Sequence, residues 1–264
     1  MARWTAQLRR KSHRAFPPPQ KPWLVRMAWH NLLFAHWALP VELVWRAVRT
    51  ACAWRNDTPV APPGLELDTR DGRAWVGVVA FHMTHVGLRV LPDLPPVASF
   101  PELNLRTYVR MRGGDPGVFF LSLDAASLPA VHIARTWFHL SYFWSRIKQS
   151  QRDSCVHYVM QRRHKSAPEA AFEAHYEPAA PPARPQVGTL EHWLTERYCL
   201  YAAQGARCWR GDVHHRPWPL QAARAGICTN TLGAPLGLTL VGPPDHLAYA
   251  RRVDALAWAP AQVA

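Results

Sequence analysis

The chain has 264 residues, of which 48% are hydrophobic and 19% are charged, a composition that supports a packed core and excludes wholesale disorder. Its 25 prolines and 14 glycines disfavour a helical bundle and indicate many short strands and turns. The formal net charge is +13, and the excess is concentrated near the N-terminus.

Residues 1–26 contain seven basic and no acidic side chains, so they carry more than half of the net charge. We predict a flexible basic arm over residues 1–26 and a single β-rich domain over residues 27–264. The arm is either solvated and poorly ordered or in weak contact with an anionic surface, either nucleic acid or a membrane. The sequence contains no zinc-finger, RNA-recognition or helix-turn-helix pattern, so we expect no specific nucleic-acid partner.

The sequence also predicts a cytoplasmic protein without a membrane span. Its most apolar window, residues 27–48, is interrupted by polar residues and Pro40, whereas a spanning helix needs about 20 apolar residues. The N-terminus has no continuous apolar stretch typical of a secretory signal. Five widely spaced cysteines without a CxxC pair are typical of free thiols in a reducing compartment.

The first predicted elements precede residue 84. Residues 29–48 predict either an amphipathic helix or a strand followed by a helix, and Pro40 favours the second. Residues 65–68 and 74–83 predict two strands of a hairpin, joined by an Asp-Gly turn at 71–72.

A long strand is predicted over residues 100–111, where polar and apolar side chains alternate throughout. Residues 118–124 predict the strand that returns beside it. One face of the long strand is almost wholly apolar, and the other carries Glu102, Asn104, Arg106, Tyr108 and Arg110. The polar face either lies in water or lines a cavity inside a barrel, and the pattern alone leaves both arrangements open.

The second half of the chain mixes helices and strands. Residues 127–138 predict a helix with a proline in its first turn, and residues 155–163 and 171–177 predict a second pair of strands. Four prolines make residues 178–188 a stiff loop. Residues 189–202 predict a helix capped by a threonine.

Two motifs in this half could serve a site or the core. Glu196, Arg197 and Tyr198 either have a function or clamp the predicted helix onto a neighbouring strand. The segment HHRPWPL at 214–220 holds Trp218 between two prolines, which suits a pocket wall or a core plug.

The sequence gives no indication of a metal site, a cofactor or a catalytic nucleophile. His82 and His85 face opposite sides of a strand and lack a third ligand, so we expect no metal site. The motifs of serine hydrolases, P-loop proteins and dinucleotide-binding proteins are missing from the sequence, so we expect no cofactor and identify no catalytic nucleophile.

Several ordered segments carry a family resemblance. They are LLFAHW at 32–37, PGLELD at 63–68, GRAWVGV at 72–78, FPELNLRTYV at 100–109, GVFFLSLDA at 117–125, LTERY at 194–198 and HHRPWPLQ at 214–221. Over about residues 28–258 the sequence resembles the YqjF-like (DUF2071) family of uncharacterised bacterial proteins. It departs from the family in its basic arm and in extra residues around 49–61, which we interpret as a surface insertion.

The resemblance implies an acetoacetate decarboxylase-like fold, which is α+β and mainly antiparallel, with a barrel-like curved sheet, a few short helices and a central pocket. The decarboxylases themselves form a Schiff base through a Lys-Lys pair. The matching stretch here, residues 141–143, is Ser-Tyr-Phe and has no amine, and a buried acid of those enzymes falls near Gly77. The resemblance therefore implies the pocket without Schiff-base chemistry.

We accordingly predict a pocket that binds a small aromatic or carboxylated molecule, with aromatic side chains such as Trp37 and Trp75 nearby. Arg106 is expected to pair with an acid such as Glu102 or Glu196. The alternative is a lyase or hydrolase that uses Glu102 or His215 as an acid or base. The candidate pocket residues are Glu102, Asn104, Arg106, Tyr108, Ser122, Tyr142, Glu196, His215 and Trp218.

Overall fold

The computed structural model describes residues 2–53, 60–93 and 97–264, and these form thirteen strands and four α-helices. The strands are β1 (Val25–Leu39), β2 (Leu65–Leu67), β3 (Ala74–Leu88), β4 (Phe100–Met111), β5 (Pro116–Ala125), β6 (Tyr142–Arg152), β7 (Cys155–Arg162), β8 (Ala171–Pro178), β9 (Cys199–Gln204), β10 (Arg207–His215), β11 (Leu220–Asn230), β12 (His246–Ala257) and β13 (Ala261–Gln262). The helices are α1 (Ala2–Thr5), α2 (Val41–Ala53), α3 (Leu128–Trp137) and α4 (Leu190–Thr195), with 3₁₀ turns at Ala6–Arg9 and Ala234–Leu236.

The sheet closes on itself along two routes that share one wall. The shared wall contains the neighbouring strands β5, β4, β3, β1 and β12. One route returns from β5 to β12 through β9 and β10, and the other returns through β6, β7, β8 and β11. The longer circuit is a barrel of nine strands, and the shorter one has seven.

The two routes separate because β5 and β12 each pair with two partners along one edge. Val118 and Phe119 pair with β9, whereas β6 pairs with the segment of β5 from Leu123 onward. These two pairings are parallel, and all the other strand pairings are antiparallel. The predicted fold class, a mainly antiparallel barrel-like sheet with a few short helices, is confirmed.

Most predicted elements are present, with two differences among the strands. The segment 29–48 is a strand followed by a helix, and the break falls at Pro40 as expected. β2 pairs with β4 and not with β3, so the turn at 71–72 closes only an isolated bridge between Arg70 and Arg73. The sequence did not predict β6, whose first residue is Tyr142.

The predicted helix over residues 189–202 ends early. Thr189 caps α4 as expected, but the helix stops at Thr195 and residues from Cys199 onward form β9. The Arg197 guanidinium turns back onto the buried carboxylate of Asp68, and its Nε donates to the Trp193 carbonyl at 2.7 Å. Tertiary contacts therefore outweigh the helical pattern, as they often do for short segments.

The polar and apolar faces of β4 lie against different parts of the molecule. Leu103, Leu105 and Val109 enter the main apolar core, which also contains the buried face of α2 and side chains from β7 and β8. The polar face points to the other side of the shared wall, where Phe34 and Phe81 belong to a second apolar cluster. This orientation, which the pattern left open, aims the polar face into the seven-strand circuit.

Part of the basic N-terminal segment packs on the barrel, which differs from the flexible arm predicted for residues 1–26. Trp4 and Trp23 are buried against Trp258, and the Arg14 guanidinium donates to the Val213 carbonyl at 2.7 Å. Burying two indole rings removes a large apolar area from water, which favours this packing. The domain boundary at residue 27 stays a prediction.

Two other sequence predictions concern a membrane span and a surface insertion. In the described part of the chain, no helix is long and apolar enough to cross a membrane. The expected insertion around 49–61 begins within α2 and continues through residues 54–59, which lie outside the described residues.

Candidate functional site

A cavity of about 400 Å³ lies inside the seven-strand circuit. Its wall comes mainly from β1, β3 and β4, and α3 covers one end with Ile133 and Trp137, both of which are also exposed to solvent. Trp29 and Trp218 stack within it, with ring centroids 5.7 Å apart. The cavity is therefore mostly apolar, with an opening beside α3.

Three polar side chains enter this apolar space from the inward face of β4, namely Glu102, Asn104 and Arg106. They occupy alternate positions along the strand, so pleating places them in one row. The Asn104 Oδ1 atom is buried and accepts no hydrogen bond from the protein. A buried acceptor without a donor is uncommon and indicates a place where a ligand can bind.

Glu102 is almost fully buried, and its Oε2 accepts a hydrogen bond of 2.7 Å from the Tyr142 hydroxyl. Burial raises the pKa of this carboxyl to about 8, and the nearby Asp124 contributes to the increase. Hydrogen bonds from Tyr142 and Asn104 oppose it. Glu102 is therefore mostly protonated at neutral pH, when it can donate a proton as well as accept one.

The Arg106 guanidinium has no acidic partner within the described part of the chain. Among the residues that the structure describes, no carboxylate lies within 4.0 Å of it, and its buried Nε makes no hydrogen bond. The guanidinium lies 5.4 Å from the centre of the Phe34 ring. The expected pairing with Glu102 or Glu196 is wrong, because Tyr142 binds the first and Trp218 binds the second.

Behind Arg106, a chain of hydrogen-bonding groups leads toward the surface. Arg106 Nη2 donates to the Tyr108 hydroxyl at 3.4 Å, and that hydroxyl lies 2.7 Å from His36 Nε2. His36 Nδ1 then lies 3.3 Å from His246 Nδ1, and His246 Nε2 lies 3.8 Å from the half-exposed carboxylate of Glu191. Burial lowers the pKa of His36 well below its ordinary value, so its imidazole is neutral.

Trp218 is held in the cavity wall from two sides. Its backbone N–H donates to Glu196 Oε1 at 3.1 Å, and its indole N–H donates to the Thr195 carbonyl at 2.9 Å. His215 lies behind it, 5.0 Å between ring centroids, and its two ring nitrogens lie 2.8 Å from the Arg216 carbonyl and 3.3 Å from the Arg197 carbonyl. The segment between the two prolines therefore forms a pocket wall, with His215 as its support.

The structure brings together five of the nine predicted pocket residues: Glu102, Asn104, Arg106, Tyr142 and Trp218. Tyr108, Glu196 and His215 are behind the lining and contact it through hydrogen bonds or ring packing. Ser122 is buried on the opposite face of β5.

A β-bulge causes the error at Ser122. Residues Leu105 and Arg106 of β4 pair with Ser122 and Phe120, so Leu121 is the extra residue in β5. One extra residue reverses which side chains face inward beyond it. Phe120 therefore lines the cavity, whereas Ser122 and Asp124 lie on the opposite face of β5, beside the apolar face of β4.

Several residues that line the cavity were not predicted from the sequence. Trp29 and Phe34 come from β1, and Ile133 and Trp137 come from α3. The alternation within β1 and the apolar residues of α3 were available as signals, but neither says which face meets a cavity. Trp37 and Trp75, expected near the pocket, are buried in other clusters.

Schiff-base chemistry depends on where the lysines lie and on what surrounds Gly77. All four lysines, at 11, 21, 148 and 165, are exposed, and none is a lining residue of the cavity. A Cβ atom on Gly77 would come within 2.7 Å of the His36 ring. An acidic side chain at 77 would therefore require His36 to move.

Solved structures of other proteins share this fold. The enduracididine biosynthesis enzyme MppR superposes with a TM-score of 0.59 at 11% identity, covering 95% of this chain and 92% of that chain. An acetoacetate decarboxylase from Legionella pneumophila gives 0.58 at 11% identity, covering 96% and 94%. An acetoacetate decarboxylase-like enzyme from Sphingomonas wittichii RW1 gives 0.57 at 12%, covering 95% and 98%. The class of protein is thus an acetoacetate decarboxylase-like barrel with an internal cavity, and at these identities the likeness concerns the fold alone.

Sequence comparison identifies the family within that class. The model of DUF2071, described as an uncharacterized conserved protein, matches residues 26–254. The uncharacterized protein YqjF of Bacillus subtilis strain 168 is 41% identical over 240 residues, which cover 91% of this chain and 93% of that protein. The chain belongs to the DUF2071 family, as the resemblance predicted.

Proposed function

We propose that the protein binds a small carboxylate with an apolar body, and that Arg106 receives the carboxylate group. The observation that carries this proposal is an arginine that has no acidic partner among the described residues and lies in a mostly apolar cavity of about 400 Å³. Cavities of about 300–1,000 Å³ with a few converging polar groups are typical small-molecule sites.

The energetics of the partly buried Arg106 charge support an anionic ligand. A guanidinium removed from water is costly unless an anion or several acceptors bind it, and arginine stays protonated at any ordinary pH. Glu102 does not fill this role, because its pKa of about 8 keeps it mostly neutral and its hydrogen bond goes to Tyr142. A ligand carboxylate would supply the missing charge and accept a two-pronged hydrogen bond from Arg106.

The apolar lining sets the second requirement on the ligand. Trp218 packs against Trp29 and Phe34, with ring centroids 5.7 Å and 5.1 Å apart, respectively. Aromatic walls favour a flat or bulky apolar group over a polar one. Pyruvate, a small carboxylate, was bound in one of the MppR structures, and the same fold here would take a larger apolar carboxylate.

We propose that this binding involves no Schiff base. A Schiff base needs a lysine amine at the substrate carbonyl, and the four lysines of this chain are exposed and outside the cavity lining.

A matched pair of probes tests the proposal. We expect 2-naphthoate to bind better than 2-naphthalenemethanol, which has the same rings without the charge. In the Arg106→Met variant, naphthoate affinity should fall about 10- to 100-fold, as expected for loss of a charged hydrogen bond, while the alcohol is little affected. Arg146→Met, on the exposed face of β6, is the control. Isothermal titration calorimetry measures both affinities.

Two outcomes would contradict the proposal. One is equal naphthoate affinity for the wild type and Arg106→Met. The other is no binding of naphthoate or of a panel of alkyl and aryl carboxylates to the wild type. Unchanged binding of the alcohol shows that the variant keeps its fold.

A second candidate function is acid–base catalysis in the same cavity. Its motivation is Glu102, a buried lining carboxyl with a pKa of about 8, within the range of groups that both give and take protons near neutral pH. His215, the other predicted acid or base, lies behind Trp218, so Glu102 is the better candidate. Native mass spectrometry of the freshly purified protein, followed by extraction, distinguishes the two functions. A compound retained unchanged supports binding, and conversion of that compound by the wild type but not by Glu102→Gln supports catalysis.

We also propose a cytoplasmic location. All five cysteines are free thiols, and Cys52, Cys199 and Cys208 are buried, which suits a reducing compartment.

A further inference from the structure

A second group of chemically active side chains lies on the outer face of β7 and β8, remote from the lining of the cavity. His157 and His175 are direct cross-strand partners, and Glu173 lies two residues before His175 on the same strand. Side chains at i and i+2, and those directly opposite, project from one face of a sheet. One ligand atom from each of the three residues lies within 4.8 Å of the other two.

We propose that His157, Glu173 and His175 form a site for a divalent transition-metal ion, of which Zn²⁺ is the best fit. Two imidazoles and one carboxylate are a donor set that zinc prefers, and three protein ligands leave a fourth position for water. The proposal is independent of the pocket and of its ligand.

The distances support this donor set. His157 Nε2 and Glu173 Oε1 are 3.0 Å apart. A tetrahedral zinc ion with bonds of about 2.0–2.1 Å separates its ligand atoms by about 3.3 Å, so the two atoms are already near the required spacing. An ion between them takes the place of this hydrogen bond, and the neutral His157 ring binds it through Nε2 with its proton on Nδ1.

His175 must move for the third bond to form, and the structure leaves room for that movement. Its ring stacks on that of His157, with centroids 4.0 Å apart and planes 6° from parallel. Two stacked rings cannot both direct a nitrogen lone pair at one ion, so one must rotate. His175 is exposed, and its partner on the other side is Gly226, around whose Cβ position nothing lies within 4 Å.

The surroundings allow an ion to enter and remain hydrated. The side chains of His157 and Glu173 are 37% and 40% exposed. On the neighbouring strand, Ser150 is opposite His157. Bound metal would connect β7 to β8 within the nine-strand circuit, and by mass action it would stabilise the folded protein.

Zinc titration of the full-length protein tests the site. We expect one Zn²⁺ per chain by isothermal titration calorimetry and a higher melting temperature in its presence. His157→Gln and His175→Gln should each lower the affinity about tenfold or more, because each removes one of three protein ligands. Glu173→Gln should also weaken binding. His132→Gln, an exposed histidine on α3, is the matched control and should bind like the wild type.

Cobalt gives a second measurement that does not depend on stability. Co²⁺ in a four-coordinate nitrogen and oxygen site absorbs visible light more strongly than hydrated Co²⁺, so the wild-type spectrum should change and that of His175→Gln should not. The proposal is wrong if the wild type binds no zinc, if both histidine variants bind it like the wild type, or if His132→Gln weakens binding equally.

Discussion

Glu102 and Arg106 lie four residues apart on one face of β4, and their surroundings give them opposite roles. The Tyr142 hydroxyl donates a hydrogen bond to Glu102, and burial keeps the Glu102 carboxyl mostly protonated at neutral pH. The Arg106 guanidinium has no carboxylate partner in the described structure. The row therefore presents a proton donor beside a cation, an arrangement suited to a carboxylate ligand.

The raised pKa of Glu102 predicts a pH-dependent stability. Between its ordinary value of 4.5 and about 8, the unfolded carboxyl is ionised while the folded one keeps its proton. The folded state then binds more protons, so the free energy of unfolding falls as pH rises through this interval. Above about pH 8 the carboxyl is ionised in both states, and its contribution no longer changes with pH. Glu102→Gln removes that fall, and its stability relative to the wild type should rise by a few kcal/mol between about pH 5 and pH 9.

Urea unfolding at several pH values measures this difference. Glu169→Gln changes an exposed carboxylate and serves as the control. Parallel curves for the wild type and Glu102→Gln would show that the Glu102 pKa is ordinary.

Among the secondary-structure elements, α3 is stabilised by an N-cap and covers one end of the cavity. Ser127 caps the helix by accepting a hydrogen bond of 3.3 Å from the Ala130 backbone N–H. Ile133 and Trp137 of the same helix line the cavity opening. Loss of the cap should therefore loosen the end of the cavity that α3 covers.

Ser127→Ala should lower the free energy of unfolding by about 1 kcal/mol, the usual effect of losing an N-cap. It should also accelerate dissociation of a bound naphthoate, measured by stopped-flow fluorescence. Thr189→Ala removes the corresponding cap of α4, which supplies no lining residue, and should cost similar stability without changing the dissociation rate. Equal rates for both variants would show that α3 does not control the opening.

At the scale of the whole molecule, a buried ion pair connects the shared wall to the second route. The Asp124 carboxylate, at the end of β5, accepts hydrogen bonds from Arg162 Nε at 2.8 Å, Arg162 Nη2 at 2.7 Å and Ser145 Oγ at 2.7 Å. Both charged side chains are almost fully buried. The contact joins β5, β6 and β7 where the nine-strand circuit leaves the wall.

Asp124→Asn should destabilise the fold by about 3–5 kcal/mol, because it leaves a buried guanidinium without the opposite charge. The double variant Asp124→Leu/Arg162→Met, which replaces the pair by apolar groups, should recover most of that loss. Urea midpoints at one pH compare them. If the double variant were less stable than Asp124→Asn, the pair would contribute net stability.

Local patterns predicted much of the fold. Alternation identified β4, β7 and β8 within a residue or two, and Pro40 and Ser127 marked the boundaries of α2 and α3. These signals are local, because pleating and capping depend on neighbours in the chain. The helix predicted beyond Thr195 failed because Arg197 binds Asp68, a residue far away in sequence.

The candidate site was predictable only in part, for the same reason. The row on β4 was visible as a pattern, and the family resemblance implied a pocket. The bulge at Leu121, which removed Ser122 from that pocket, has no signal in the composition of β5. The trio at 157, 173 and 175 has no linear motif either, because strand pairing brings its members together.

By itself, the sequence determined the family, the mainly β fold class and the two faces of β4, since each depends on residue order or on period-two alternation. Only the tertiary structure decided which face of β4 lines a cavity and how the basic N-terminal segment packs. It also decided that Arg106 pairs with neither Glu102 nor Glu196. Those outcomes depend on contacts between residues far apart in the chain, such as Arg14 and His214, which are 200 positions apart. Closing the sheet along two routes creates these contacts, and no local pattern encodes them.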